Sequence, residues 1–345
     1  MISRALVAGL GSIGQRHLRL LREALPGADI RVLRHSGCDG EVEHANACFS
    51  RLEEAQSFAP ELAVIASPAP FHVATARALA ETGAHLLVEK PVSDGTAGVA
   101  DLIALCADRG LVCQVGYNLR FFGTLQAFRA ELVAGRIGAV QAVRCEIGQF
   151  LPGWRLGADY RKTVSAQRAL GGGVLLELSH ELDMLRWVFG EVDWLSAWTG
   201  RQGALEIDVE DCVMIQMRFS SGPVAQLGMD FLRRDTTRTC TAIGAQGSLR
   251  WDAVAGRVDH FDPEHGAWAE LTQVTPDRDA SYRAQIAALL AAIAERHGDI
   301  STQGSGTPEQ VAAQGVDGLA VMRLVEAARR SDAQHGLRVQ IGDMT

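Results

Sequence analysis

Short apolar runs alternate with amphipathic stretches from the start of the chain to about residue 118, and the character changes after that. The runs at 5–8, 30–33, 62–66, 85–88 and 112–117 are nearly continuous in apolar residues, as strands covered on both faces of a parallel sheet require. Between them, 13–24, 72–81 and 96–109 repeat with the helical period, which predicts βαβ units. One further helix, 124–134, leads to a long strand, 140–150. The period then falls to two at 194–199, 212–219, 224–231, 239–243 and 249–252, and this spacing predicts an antiparallel meander. Two helices, 282–295 and 308–333, close the pattern. After the polar stretch 301–306, Thr307 reads as an N-cap, Pro308 as the first helical residue and Gln310 as the partner in a capping box. The expected architecture is α/β: a doubly wound parallel sheet over 1–119, then an α+β domain with an open antiparallel sheet over 120–345.

A length of 345 residues exceeds the usual single core and agrees with this division. The net charge of −8 and the lack of any Lys/Arg run argue against nucleic acid and anionic membranes as partners. No apolar run approaches bilayer length. The seven cysteines are odd in number, scattered and never spaced C-x-x-C. They read as small buried hydrophobes in a reducing compartment, so neither a disulfide frame nor a metal is expected. The apolar stretch before Gly9 is too short for a signal sequence and reads as the first strand, hence the expectation of a cytoplasmic protein.

The first candidate chemistry is Gly9-Leu10-Gly11-Ser12-Ile13-Gly14, placed between the first strand and the first helix. In that context the G-x-G-x-x-G spacing is the dinucleotide fingerprint of a Rossmann domain. Gly9 makes the turn, Gly11 admits the pyrophosphate, Gly14 lets helix and strand close up, and Ser12 and Ile13 bring helix N-terminal amides to the phosphates. An acidic residue at the end of the second strand would bind the ribose diol of NAD, but Arg34-His35-Ser36 stands there. Cations and a hydroxyl suit a 2′-phosphate, so NADP(H) is preferred and NAD(H) is the second choice. The acidic residue typical of S-adenosylmethionine sites just before the glycines is missing, and no tyrosine has a lysine four residues on, as short-chain dehydrogenases need.

A more specific pattern follows in Ala66-Ser67-Pro68-Ala69-Pro70-Phe71-His72 and Gly83-Ala84-His85-Leu86-Leu87-Val88-Glu89-Lys90-Pro91. It resembles the Gfo/Idh/MocA oxidoreductases, and the likeness continues through Gly116-Tyr117-Asn118-Leu119-Arg120-Phe121, Gly135-Arg136-Ile137-Gly138, Gly171-Gly172-Gly173 to Asp183, and Asp317-Gly318. A lysine at the carboxyl end of a parallel strand points into the crevice where such sheets bind ligands, and Pro91 biases Lys90 away from helical geometry. Lys90 is thereby placed to hydrogen-bond a substrate hydroxyl and the nicotinamide ribose. The resemblance implies that Ser67, Pro68, Glu89 and Asn118 line the dinucleotide site. It also sets His72 beside the nicotinamide, although a purely structural bond for this histidine is an equal alternative.

Oxidising an alcohol requires a base within reach of the hydroxyl. Glu177, His180 and Asp183 recur at three-residue spacing, which on a helix puts them along one face. His180 is the candidate acid/base, with Asp183 as its orienter or a substrate anchor. The family carries an Asp four residues before this histidine, and here that position is Leu176, with Glu177 one residue later. Trp154, Tyr160 and Arg161 lie in a loop ahead of the helix, where aromatic faces suit sugar rings and cations suit an anion; Arg120 is a further substrate candidate. The resemblance implies hydride transfer between NADP(H) or NAD(H) and a secondary alcohol or ketone of a sugar, a nucleotide-linked or acidic sugar derivative, or a cyclitol, in a homodimer or homotetramer. Two alternatives stay open: a non-catalytic dinucleotide sensor, and a redox-neutral enzyme that uses the cofactor catalytically.

Overall fold

The computed structural model describes residues 2–35, 37–38, 40–155, 157–275, 277–296 and 311–344. Ser36, the stretch 301–306 and the capping residues Thr307, Pro308 and Gln310 lie outside the described residues. The chain forms two compact units, one of Met1–Phe121 with Asp279–Met322 and one of Phe122–Arg278 with Arg323–Thr345.

The first unit holds six parallel strands: β1 (Arg4–Ala8), β2 (Asp29–Leu33), β3 (Ala47–Phe49), β4 (Leu62–Ile65), β5 (His85–Val88) and β6 (Cys113–Val115). Their order is β3-β2-β1-β4-β5-β6, so the direction of winding reverses between β1 and β4. Helices α1 (Ser12–Ala24), α2 (Leu52–Phe58), α3 (His72–Ala80) and α4 (Val99–Asp108) make the crossovers. Every residue of β4 and β5 is buried, as expected of strands covered on both faces. Strand β3 and helix α2 have no counterpart in the sequence reading, because a three-residue edge strand and a seven-residue helix are too short to show a period.

The pattern alone predicts a single second domain over 120–345, and the structure divides that stretch differently. Helix α8 (Ala280–Arg296) folds with the first unit, where Ile286, Leu289, Ala292 and Ile293 join the core built from Val7, Leu18, Leu21, Ile30 and Val64. Burying its apolar stripe in this core supplies the hydrophobic gain that holds it there. Helix α9 (Gly315–Ala333) passes from one unit to the other.

The second unit is built on a nine-stranded sheet of β7 (Val140–Gly148), β8 (Val192–Gly200), β9 (Cys212–Phe219), β10 (Val224–Asp230), β11 (Thr237–Gly244), β12 (Gly247–Asp252), β13 (Arg257–Asp262), β14 (Ala267–Gln273) and β15 (Val339–Gln340). The order is β14-β13-β12-β11-β7-β10-β9-β8-β15. Most pairs are antiparallel as expected, but β7 and β10 run parallel, because β7 leaves the meander and inserts at the centre of the sheet. Strand β9 alternates buried and exposed positions, so one face is covered and the other open. On the covered face, α5 (Gly123–Val133) packs on β12, where the buried Trp251 indole N–H donates to Thr124 Oγ1 at 3.0 Å.

One cysteine expectation is overturned. Cys38 and Cys48 form a disulfide, because β3 pairs with β2 and brings Cys48 to a Cα–Cα distance of 5.7 Å from Cys38 in the loop after β2. The other five cysteines are buried and unbridged. Among the described residues, no helix is long and apolar enough to cross a membrane.

Candidate active site

The glycine turn lies where the sheet reverses. Gly9 has φ +97°, and a Cβ on it would stand 2.6 Å from the Ala66 carbonyl and the Ser67 nitrogen at the end of β4. A Cβ on Gly14 would stand 2.1 Å from the Gly9 oxygen, so helix and turn touch backbone to backbone. Gly11 differs: nothing lies within 4 Å of its Cβ direction. It is the N-cap of α1 in extended geometry with no side-chain cap, and the first turn of α1 contains no acidic residue. Uncapped amides, a positive helix end and open space at Gly11 fit a dinucleotide pyrophosphate. Arg34 and His35 follow β2 directly and are exposed, so the first two residues past that strand carry no carboxylate.

Ser67–Pro68 and Glu89-Lys90-Pro91 extend the carboxyl ends of β4 and β5, the edge where such sheets bind ligands. The Lys90–Pro91 bond is cis and Lys90 is half-buried. Glu89, expected to line the dinucleotide site, is buried, 5% exposed. Its Oε1 lies 2.6 Å from His17 Nε2, and its Oε2 accepts the Lys90 backbone N–H at 3.1 Å. Burial opposes the Glu89 charge, but the His17 hydrogen bond and the nearby Lys90 outweigh it and hold the carboxyl below its ordinary range. His17 carried no signal in the fingerprint, and only the fold brings it to Glu89.

For His72 the structure shows a structural bond. It is buried, with Nδ1 2.9 Å from the Pro91 carbonyl oxygen and Nε2 2.5 Å from that of Ser67, so it straps the two strand-end loops together. Burial pushes the ring below its ordinary value of 6.5, against the pull of the two carbonyls. Asn118 and Arg120 are also buried: Asn118 Nδ2 donates to Ser281 Oγ at 2.8 Å, and Arg120 pairs with Asp317 at 3.2 Å. A Cβ on Gly318 would meet Val115 at 2.9 Å and Val92 at 3.1 Å, which explains a glycine at that position of α9.

In the second unit, the expected continuous helix is two: α6 (Val174–Glu177) and α7 (His180–Phe189), separated at Leu178–Ser179. Glu177 ends α6, and its carboxylate accepts from Ser165 Oγ at 3.0 Å. His180 opens α7 half-buried, and Asp183 lies one turn on, 1% exposed. The preceding glycines pack the protein on itself. A Cβ on Gly172 would meet the Val164 oxygen at 2.3 Å, and one on Gly173 the Glu210 carboxylate, which accepts the Leu175 N–H at 3.0 Å. Glu210 thus caps α6 from 35 residues away, beyond the reach of any local motif. Glu181, fully buried, pairs with Arg238 at 2.8 Å.

The loop candidates are largely engaged already. Trp154 donates to the Gln149 carbonyl at 3.1 Å and stands edge-on to Phe231. The Tyr160 hydroxyl accepts the Glu206 N–H at 3.1 Å. Arg161 pairs with Asp159 at 2.8 Å and Glu206 at 2.7 Å, and the Asp159 hydrogen bond leads the causes that raise its pKa.

A parallel sheet with a phosphate-binding glycine turn at its reversal and a lysine at the end of the adjoining strand pair defines a dinucleotide-dependent oxidoreductase of the Rossmann class. Residues 3–117 match the model of an oxidoreductase family with an NAD-binding Rossmann fold, and residues 125–250 match the GFO/IDH/MocA C-terminal domain. The chain belongs to the Gfo/Idh/MocA oxidoreductases. It is 28% identical over 271 residues, 74% of each chain, to 1,5-anhydro-D-fructose reductase of Ensifer adhaerens. To inositol 2-dehydrogenase of Streptomyces avermitilis it is 26% identical over 200 residues, 54% of this chain and 52% of the relative. Among solved structures it shares its fold with levoglucosan dehydrogenase in complex with NADH (TM-score 0.81, 19% identity, 98% of each chain). It also shares it with the WlbA dehydrogenase of Bordetella pertussis in complex with NADH and UDP-GlcNAcA (TM-score 0.76, 20% identity, 99% of each chain).

Gly11→Val tests the phosphate cradle. The added side chain enters open space, so the melting temperature should hold while affinity for NADH and NADPH falls by about tenfold or more, roughly 1.4 kcal/mol, in a fluorescence titration. Unchanged affinity would remove the turn from the site. The His72 strap makes a separate prediction. Its lowered pKa means the folded state binds fewer protons than the unfolded, so its contribution is complete above the ordinary value of 6.5 and is lost as pH falls below it. Melting curves between pH 7.5 and 5 should show this loss in the parent chain and less of it in His72→Asn.

Proposed function

We propose that this chain transfers hydride between a nicotinamide dinucleotide and a secondary alcohol or ketone of a neutral sugar, sugar derivative or cyclitol. The observation that carries the reading is Lys90, held at the carboxyl end of β5 through the Glu89 carboxylate, on the sheet edge that also presents the glycine turn. The dinucleotide supplies the hydride acceptor or donor. Gly9, Gly11, Ser12, Ile13 and Gly14 bind its phosphates through backbone amides, and Ser67, Pro68 and Asn118 belong to the same strand-end edge. Lys90 holds the substrate hydroxyl through its ammonium, and His180 takes the proton in oxidation and returns it in reduction. Asp183 orients His180, and Glu177, tied to Ser165, fixes the entry to α7. Lys90 and His180 therefore do the proton work without the family's usual aspartate.

A neutral substrate is favoured because Arg161, a loop cation that suggested an anionic one, and Arg120, the further substrate candidate, are each paired with carboxylates. Relatives named for 1,5-anhydro-D-fructose, inositol and levoglucosan support that class. NADP(H) is the preferred cofactor in this proposal, on the strength of exposed Arg34 and His35 where an acid would serve NAD. The proposal extends to a homo-oligomer in the cytoplasm. Trp198, Met214 and Val224 are 40%, 55% and 48% exposed on one open face of the second unit's sheet, apolar area that a second copy would cover, and sedimentation velocity reads the result.

The decisive assay follows dinucleotide absorbance with 1,5-anhydro-D-fructose, levoglucosan and inositols. Turnover should appear with at least one of them and drop by about a hundredfold or more in Lys90→Ala, in line with a residue that aligns the reacting atoms. Tight dinucleotide binding with no absorbance change on any substrate would refute the oxidoreductase reading. In thermal shift, NADP(H) should stabilise the chain more than NAD(H), with the order reversed in Arg34→Asp; a larger NAD(H) shift in the parent chain would overturn the NADP(H) preference.

A further inference from the structure

The buried pair of His17 and Glu89 has no place in the hydride chemistry, yet it touches the residue that does. We propose that His17, on α1, is a positioning residue for Lys90 and acts through the Glu89 carboxylate. The proposal rests on the reading of Lys90 given above.

Each oxygen of Glu89 is committed to one partner: Oε1 to His17 Nε2 at 2.6 Å and Oε2 to the Lys90 amide at 3.1 Å. A flexible side chain with both ends of its carboxylate fixed cannot change rotamer without breaking one of them, so the helix holds the backbone of residue 90. Burying a carboxylate against an imidazole is expensive, and an apolar pair would fill the same volume with less desolvation. What the apolar pair lacks is direction. The surroundings are shaped to keep the carboxylate there: a Cβ on Gly116 would stand 2.9 Å from the Glu89 carboxyl carbon, so the strand-end residue after β6 is a glycine.

His17 itself is aimed at Glu89 alone. The side chain is 0% exposed, and its Nδ1 has no hydrogen-bond partner among the described residues, so Nε2–H is the donor and the carboxylate its acceptor. The ring packs on Tyr282 of α8, which meets it edge-on at a centroid distance of 5.8 Å, while the Arg16 guanidinium lies over that tyrosine ring at 4.8 Å. The segment after the lysine is held separately, by His72 Nδ1 at the Pro91 carbonyl. With residues 89 and 91 pinned from two helices, the stem of Lys90 starts from a fixed point, and hydride transfer is sensitive to displacements of about 1 Å.

The test uses the full chain with His17→Phe, which keeps the ring and loses the donor, and His17→Gln, which keeps an N–H donor. Residue-resolved amide exchange needs no substrate. The Lys90 amide should exchange about tenfold faster or more in His17→Phe and near the parent rate in His17→Gln, while other β5 and β6 amides keep their rates. With the sugar that the parent chain turns over, kcat should fall about tenfold or more in His17→Phe with the dinucleotide KM within about threefold, and His17→Gln should recover part of it. Unchanged Lys90 exchange, a uniform acceleration across both strands, or an unchanged kcat overturns the proposal. If His17→Phe does not fold, Glu89→Gln, equal in shape but unable to accept from both partners with the same strength, must lower kcat likewise; parent-like kcat there also overturns it. Full activity in Lys90→Ala would instead sink the underlying reading of Lys90, whatever the exchange rates show.

Discussion

The first unit depends on one contact in which backbone meets backbone with no side chain between. Gly9 presses on the end of β4 and Gly14 presses on Gly9, and neither approach leaves room for a Cβ. This contact sets the N-terminus of α1 directly beside the strand ends where the winding reverses. Two consequences follow from the same placement. The uncapped first-turn amides lie at the edge of the sheet where an anion gains most from them, and His17, one turn further along α1, arrives at Glu89, just past the end of β5 on the far side of β4. The candidate phosphate site and the His17–Glu89 contact are thus both set by the placement of α1.

The second unit uses close packing in the same way, around a different residue set. Gly172 and Gly173 fold the loop ahead of α6 onto Val164, Ser165 and Glu210, and Glu210 and Ser165 then hold the start of α6 and the Glu177 carboxylate. His180 and Asp183 sit on α7 immediately beyond, so their backbone is set by contacts made from distant parts of the chain. Such an arrangement tolerates a shifted acid. With the carboxylate at 177 in place of 176, it accepts a hydrogen bond from Ser165 Oγ.

Shared architecture at 19–20% identity with the levoglucosan and WlbA dehydrogenases shows how far a fold can be conserved while substrates differ. The chemistry of transfer is held by strand ends and helix starts, and the substrate is chosen by side chains that a fold does not specify. In this chain two of the cations singled out in the sequence, Arg120 and Arg161, are paired with carboxylates of the protein itself.

The glycine turn, the buried parallel strands and Glu89-Lys90-Pro91 are legible in the sequence, because each depends on local spacing: period, turn conformation and the position of a residue at a strand end. The change from βαβ units to a sheet of period two is legible for the same reason. Other features depend on residues distant in sequence and were settled only by tertiary packing. These are the membership of α8 in the first unit, the parallel pairing of β7 with β10, the Cys38–Cys48 bridge, and the buried partners that Glu89, His72, Asn118 and Arg120 find within the protein. A sequence states which residues are polar. Only the fold decides which of those polar atoms are spent on each other, since burial makes an unpaired one costly and a partner may lie 72 residues away, as His17 lies from Glu89.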